Sequence, residues 1–327
     1  MGGVSTLRAV WSRLGHRRPW LGPLVALLAV YLLFALLSPE TFARPSNLSL
    51  MARQTVVVGI AAAGMTLVII MGGIDLSVGS GVALTTVIVA SLLRSGAGPF
   101  TAALAAVAAV ACCGLLTGLL ITGLRITPFI VTLGGMSVLR GAAKGLAREQ
   151  KIDADAQGLD RLVAALPPSW SAFIVPPAVW ILGVVALLTA GLLHYTRLGR
   201  HIIAIGSNEA TALLCGIRVH RVKAIVYTLA AALTGLAGVI EFSTLTVGDP
   251  TDSAGLELEV IAAVVIGGGS LSGGEGSVAG SLIGAFLMTV IKTGCTHVGL
   301  PNWVQELVTG GIILVAVALD QLRERRR

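Results

Sequence analysis

Charge is scarce in this sequence. Asp, Glu, Lys and Arg make up only 12% of its 327 residues, about half the share of an ordinary soluble domain. That deficit argues against a soluble enzyme, a nucleic-acid-binding module and a disordered chain. Cysteine is scarce too. Cys112, Cys113, Cys215 and Cys295 show neither zinc-ligand spacing nor a secreted disulfide framework. The five histidines are scattered and suggest no metal site. The alternating segments of about ten residues that mark a membrane β-barrel are also missing. What is present is apolar: 55% hydrophobic residues and a mean hydropathy of +0.90. The expected fold is an all-α polytopic transmembrane helix bundle. At about 20 residues per span, the length leaves room for about ten.

Apolar stretches lie at 21–37, 50–71, 78–93, 99–123, 127–147, 173–193, 224–243, 257–269, 277–294 and 304–320. Arg8, Arg13, Arg17 and Arg18 precede the first. Its length and the absence of an A-x-A site read as an uncleaved span rather than a signal peptide. The net charge of +7 is clustered beside spans, the habit of cytoplasmic loops. Segment 194–223 holds Arg197, Arg200, Arg218, Arg221 and Lys223 against Glu209, and the tail holds Arg323, Arg325, Arg326 and Arg327. Segment 148–172 is balanced, and 244–256 carries only Asp249 and Asp252. Both termini are therefore expected in the cytoplasm. The layout is a basic segment 1–20, one transmembrane domain 21–320 and a basic tail 321–327. Membrane lipid is the surrounding partner; nucleic acid is not one. Trp20, Trp170, Tyr195 and Trp303 fall at span ends, the preferred level of amphipathic rings.

Four segments stand out. Within 194–223, Asn208 is placed as an N-cap with Glu209 at the positive helix end, and Gly216 as the stop. This spacing predicts a short helix at about 209–215, with Ala210, Leu213 and Leu214 on its apolar side. Such a helix is marginal alone. It either lies on lipid or on the protein's own loops, or it docks a cytoplasmic partner. In MGGIDLSVGSG (71–81), Gly72 and Gly73 break a helix and Asp75 precedes a new one. Asp75 is read first as a cap accepting from the N–H of Ser77 or Val78. A role at a substrate path is compatible with that, since broken helices border such paths. In 127–145, Thr127-Pro128 starts a helix, and Ser137, Arg140 and Lys144 share a face. Lys144 is expected to snorkel, while Arg140 faces protein or a water-filled path. The Gly-rich stretch 267–280 contains LSGGE (271–275), close to a signature of ABC-type ATPases. The chain holds no G-x-x-x-x-G-K-[ST] phosphate loop, so that reading is rejected. G-x-S-x-G and H-E-x-x-H motifs are likewise missing, and no enzyme is indicated.

The strings GMTLVIIMGGIDLSVGS (64–80), PFIVTLGGMSVLRG (128–141), AIGSNEATALLCGIRVHRVK (204–223) and LELEVIAAVVIGGGSLSGGEGSVAGSLIGA (256–285) resemble the membrane permease subunits of ribose/xylose/galactose-type ABC sugar importers. The resemblance spans roughly 45–320. It implies a homodimer, or a heterodimer with a paralogue. It also implies a bacterial plasma (inner) membrane location, cytoplasmic ABC ATPase subunits, which would use the ATP and Mg, and an extracytoplasmic sugar-binding protein; this chain itself would carry no cofactor. The family's coupling segment maps onto Asn208, Glu209, Ala210, Ala212, Leu213, Gly216 and Ile217, which favours docking for that loop. Gly72, Gly73, Asp75, Ser77, Ser137 and Arg140 are the candidates for the helix break and translocation path. The stretch from Lys144 to Asp155 is more charged than the family leads one to expect, and Glu275 stands where a basic residue is common. The alternatives are an ion-coupled secondary transporter of a small polar solute, with Asp75 and Arg140 as its candidate ionisable groups, and a scaffold of an envelope complex. A permease for branched amino acids shares the architecture but matches these strings less well.

Overall fold

The computed structural model describes residues 20–164 and 175–324. The basic residues before Trp20, Trp170 and the last three arginines lie outside the described residues. Twelve α-helices occupy almost everything else: α1 (Leu21–Leu37), α2 (Pro45–Ile70), α3 (Val78–Arg94), α4 (Pro99–Gly123), α5 (Pro128–Leu146), α6 (Pro177–Tyr195), α7 (Arg197–Ser207), α8 (Glu209–Leu214), α9 (Val219–Leu245), α10 (Leu256–Ile266), α11 (Val278–His297) and α12 (Asn302–Glu324). The all-α expectation holds. Proline opens α2, α4, α5 and α6 at the first helical position. There its missing N–H costs nothing and its fixed φ is already helical.

Six of these helices are long and apolar enough to cross a bilayer: α2, α4, α6, α9, α11 and α12. α1 and α3 are apolar but only 17 residues long. The expected span at 257–269 is corrected: α10 has eleven residues and rises about 16 Å, half of a hydrocarbon layer of about 30 Å. The run of glycines after Ile266 ends it early; Gly268 has φ +92°.

α2 is the axis. It is buried along most of its length, as befits a helix apolar on all sides. Its hydroxyls are satisfied inside the bundle. Thr55 Oγ1 donates to the Met51 carbonyl (2.8 Å), and Thr66 Oγ1 lies 2.7 Å from Ser281 Oγ of α11. α4 and α9 approach closely through small residues: a side chain at Gly118 would meet Ala224 Cα at 2.7 Å, and one at Gly235 would meet Val107 Cα at 2.9 Å. This is the close packing that Gly-rich spans allow in lipid. Leu104, Leu116, Leu187, Leu188 and Leu314 point outward, giving the bundle an apolar rim suited to acyl chains.

The bundle has two unlike ends. At the basic end sit α7, α8, the 71–77 break and the 267–277 loop. At the opposite end a two-residue antiparallel ladder pairs Ile152 with Gly248 and Asp153 with Val247. Lys151 closes it on Asp249 at 3.0 Å. Burial raises the Asp249 carboxyl, but bonds from the Thr251 hydroxyl and N–H and from Lys151 outweigh it and hold the group below its usual range.

Candidate functional site

The break after α2 is built by its glycines. The Gly72 N–H reaches the Ile69 carbonyl and the Gly73 N–H the Val68 carbonyl, both at 2.9 Å. This reciprocal pattern closes a helix C-terminus and needs a left-handed residue; Gly72 supplies φ +81°. Gly73 is required for space, because Tyr227 Oη would lie 2.5 Å from a Cβ there. Asp75 is buried. Its Oδ1 accepts from the Ser77 N–H (2.8 Å) and the Ser77 hydroxyl (2.6 Å). The expected acceptance from Ser77 is thus present, just before α3 begins. Thr132 of α5 donates to the Ile74 carbonyl at 3.1 Å, fastening α5 to the break.

Three segments meet at the basic end. The Gly274 N–H donates to the Ile70 carbonyl at 2.8 Å. Gly206, at the end of α7, packs so tightly on that carbonyl that any side chain would collide with it. The LSGGE stretch is therefore a turn packed between α2 and the α7–α8 module. The Leu271 N–H in the same turn donates to Asp320 of α12 at 3.2 Å.

The sequence predicted one short helix in segment 194–223; the structure has two. α7 is capped by Thr196, whose hydroxyl accepts from the Gly199 N–H at 3.1 Å. α8 begins at Glu209, as expected, with Asn208 Oδ1 accepting from the Thr211 N–H at 2.9 Å. It ends in the same reciprocal motif as α2. The Ile217 N–H reaches the Ala212 carbonyl (3.1 Å) and the Gly216 N–H the Leu213 carbonyl (3.0 Å), with Gly216 at φ +81°. Glu209 pairs with Lys223 of α9 at 2.8 Å. Ala212 is buried and Ile217 packs on the core. Ala210 is exposed, Leu213 is 50% exposed and Leu214 is 89% exposed. The expected apolar side, Ala210, Leu213 and Leu214, thus faces outward, while Ala212 faces the body. A six-residue helix that is marginal alone is held by a cap at each end and an ion pair, with its leucines presented to whatever lies beyond.

A second feature lies within the bundle. Gly81, in the first turn of α3, packs on Thr234 near the middle of α9. α3 therefore starts at mid-height. A side chain at Gly79 would collide with the Ser253 carbonyl and Glu257 Oε2, so the start of α10 reaches the same level. Two helix N-termini thus meet at mid-height, and an open cleft of about 450 Å3 lies against them, lined among others by Ser80, Ser137, Arg140, Lys144 and Glu257. The shared face of Ser137, Arg140 and Lys144 is real. Arg140 Nη1 donates to the carbonyls of Pro250 (3.1 Å) and Asp252 (2.6 Å), bracing the loop before α10. Lys292 of α11 pairs with Glu259 in the first turn of α10. Asp75 and Arg140 do not pair with each other. Sequence reasoning missed Ser80 and Glu257. Two acids inside an apolar string, Glu257 and Glu259, were the available signal.

Helices that begin at mid-depth, a buried helix break and a capped helix presented at the basic end define a polytopic membrane protein with a polar cleft inside its bundle. The chain belongs to the family described as branched-chain amino acid transport system / permease component, which it matches over residues 47–317. Among curated relatives it is 39% identical over 328 residues to the ribose import permease protein RbsC of Escherichia coli (strain K12), covering 98% of this chain and 100% of the relative. It is 33% identical over 315 residues to the L-arabinose ABC transporter permease protein AraH of Azospirillum brasilense (94% and 88%). It is 34% identical over 318 residues to the fructose import permease protein FrcC of Rhizobium meliloti (94% and 86%). No solved structure matches it. The protein is a multi-pass inner-membrane permease component.

Proposed function

We propose that the chain forms the translocation path of an ATP-binding-cassette importer for a ribose-like monosaccharide. Near full-length similarity to permeases named for ribose, arabinose and fructose carries this reading; the family's own description, for branched-chain amino acids, is the broader heading. The concentration of arginines around 194–223 supports a cytoplasmic position for α8. Asn208, Glu209, Ala210, Ala212, Leu213, Gly216 and Ile217 shape the contact with an ATPase subunit. The exposed leucines are the anchor, and the caps and the Glu209–Lys223 pair keep the helix stiff enough to transmit a push. Gly72, Gly73, Asp75 and Ser77 form the hinge of the path, and Ser137 and Arg140 its wall. The chain itself catalyses no reaction; ATP and Mg act in the partner. A binding protein delivers the sugar to the opposite end. A second permease copy or a paralogue completes the passage, supported by the bare small-residue face of α5, where Gly134, Gly141 and Gly145 meet nothing.

Proteoliposomes test this. With its ATPase and binding protein the permease accumulates D-ribose, L-arabinose or D-fructose only when ATP is supplied. Accumulation by the permease alone under a proton or sodium gradient would make it an ion-coupled carrier and overturn the proposal.

A further inference from the structure

The cleft at mid-height holds two polar atoms that the fold itself does not use. Ser80 is fully buried, yet its Oγ has no hydrogen-bond partner among the described residues; Glu257 Oε2 is in the same condition. Unpartnered buried polar atoms are few in native structures, and each calls for an explanation. Here both belong to residues lining one cavity, and both sit in the first turn of a helix that starts at mid-depth. Gly79, with no side chain, lets Glu257 Oε2 pack directly against the first turn of α3 beside Ser80. At about 450 Å3 the cleft falls within the usual range for small-molecule sites, about 300–1,000 Å3.

We propose that this cleft is a station for a neutral polyol in transit, with Glu257 Oε2 and Ser80 Oγ taking neighbouring sugar hydroxyls. The chemistry is complementary. A carboxyl oxygen accepts, and a serine hydroxyl both donates and accepts; a vicinal diol offers an O–H to the first and either role to the second. Ser137 faces the same space from α5, while Arg140 Nη1 is committed to the carbonyls of Pro250 and Asp252 and serves to position the loop before α10. Two or three hydrogen bonds hold a sugar long enough to orient it and release it quickly, as a passage requires. This inference rests on the monosaccharide-import reading and names the groups that recognise the cargo within the membrane.

The test measures D-ribose, L-arabinose and D-fructose uptake by proteoliposomes containing the permease, its ATPase and its binding protein. Ser80→Ala and Glu257→Gln each lower the maximal uptake rate of the transported sugar about tenfold. The half-saturating concentration stays the same, because the binding protein sets it. Ser80→Ala leaves the melting temperature unchanged or higher, because it deletes a hydroxyl that bonds to nothing in the fold. Wild-type rates in either variant overturn the station and leave the import reading standing. A Ser80→Ala protein that loses transport together with thermal stability makes Ser80 a structural residue and also overturns it. Wild-type permease that moves none of the three sugars overturns the import reading, and the station with it.

Discussion

A few single residues carry geometry that no substitute reproduces. Gly216 holds a left-handed conformation at the end of α8, which a β-branched residue adopts at a cost of about 1–2 kcal/mol. Gly216→Val is expected to loosen α8 and lower ATP-driven uptake several-fold, with membrane levels unchanged by immunoblot. Glu209→Lys sets two cations together where one ion pair now stands and abolishes uptake in the same assay. Glu209 is the half-exposed partner of a largely buried Lys223, so the melting temperature is measured alongside; lost uptake at an unchanged melting temperature marks a defect of coupling. At the helix break, Asp75 accepts two bonds at one oxygen. Asp75→Ala therefore damages folding or transport, whereas Asp75→Asn, which keeps an acceptor, is milder; an equally severe Asn variant would show that the charge itself is required.

Elements are held by contacts that differ at the two ends of the bundle. At the end away from the basic module, the short ladder depends on the Lys151–Asp249 clasp. The Asp249 carboxyl lies below its usual range, so its stabilisation is present above about pH 4 and fades as pH falls through the lowered value. Lys151 is raised, first by its hydrogen bond to Asp249, so its share holds below the ordinary ammonium value and fades only as pH rises through the raised one. Amide exchange at Ile152 and Gly248 is expected to stay constant around neutrality, after correction for intrinsic rates, and to quicken in strong acid. Asp249→Asn removes the acid dependence; an unchanged acid profile in that variant would refute the clasp. In the core, Gly118→Leu drives a side chain into Ala224 backbone. It destabilises by about 1–3 kcal/mol, read as a lower melting temperature in detergent.

At the scale of the whole molecule, the bundle was legible because apolar runs, proline starts and glycine stops act locally. Pro128, Asn208 and Gly216 each did in the structure what their chemistry foretold. Three things were not legible. α10 reads as a span because LELEVIAAVVIGGG is apolar but for Glu257 and Glu259, and its depth is set by the loop before it, which runs along α3 and is braced by Arg140 of α5. α7 reads as loop because its apolar residues Ile202 and Ile205 are spaced among arginines and a histidine. The unpartnered atoms of Ser80 and Glu257 are a property of tertiary neighbours, which no spacing encodes. The candidate residues thus divide into those placed by local rules at the basic end and those assembled from distant segments at mid-depth.

The central claim is that α8 faces the cell interior and is gripped there by a separate motor. Cys215, exposed at the end of α8, is a native reporter. In a protein whose Cys112, Cys113 and Cys295 are replaced by serine, a membrane-impermeant maleimide is expected to label inverted vesicles but not intact cells, and added ATPase subunit to block the labelling. Labelling of intact cells would place the helix outside, beyond the reach of any ATP-driven partner, and contradict the account.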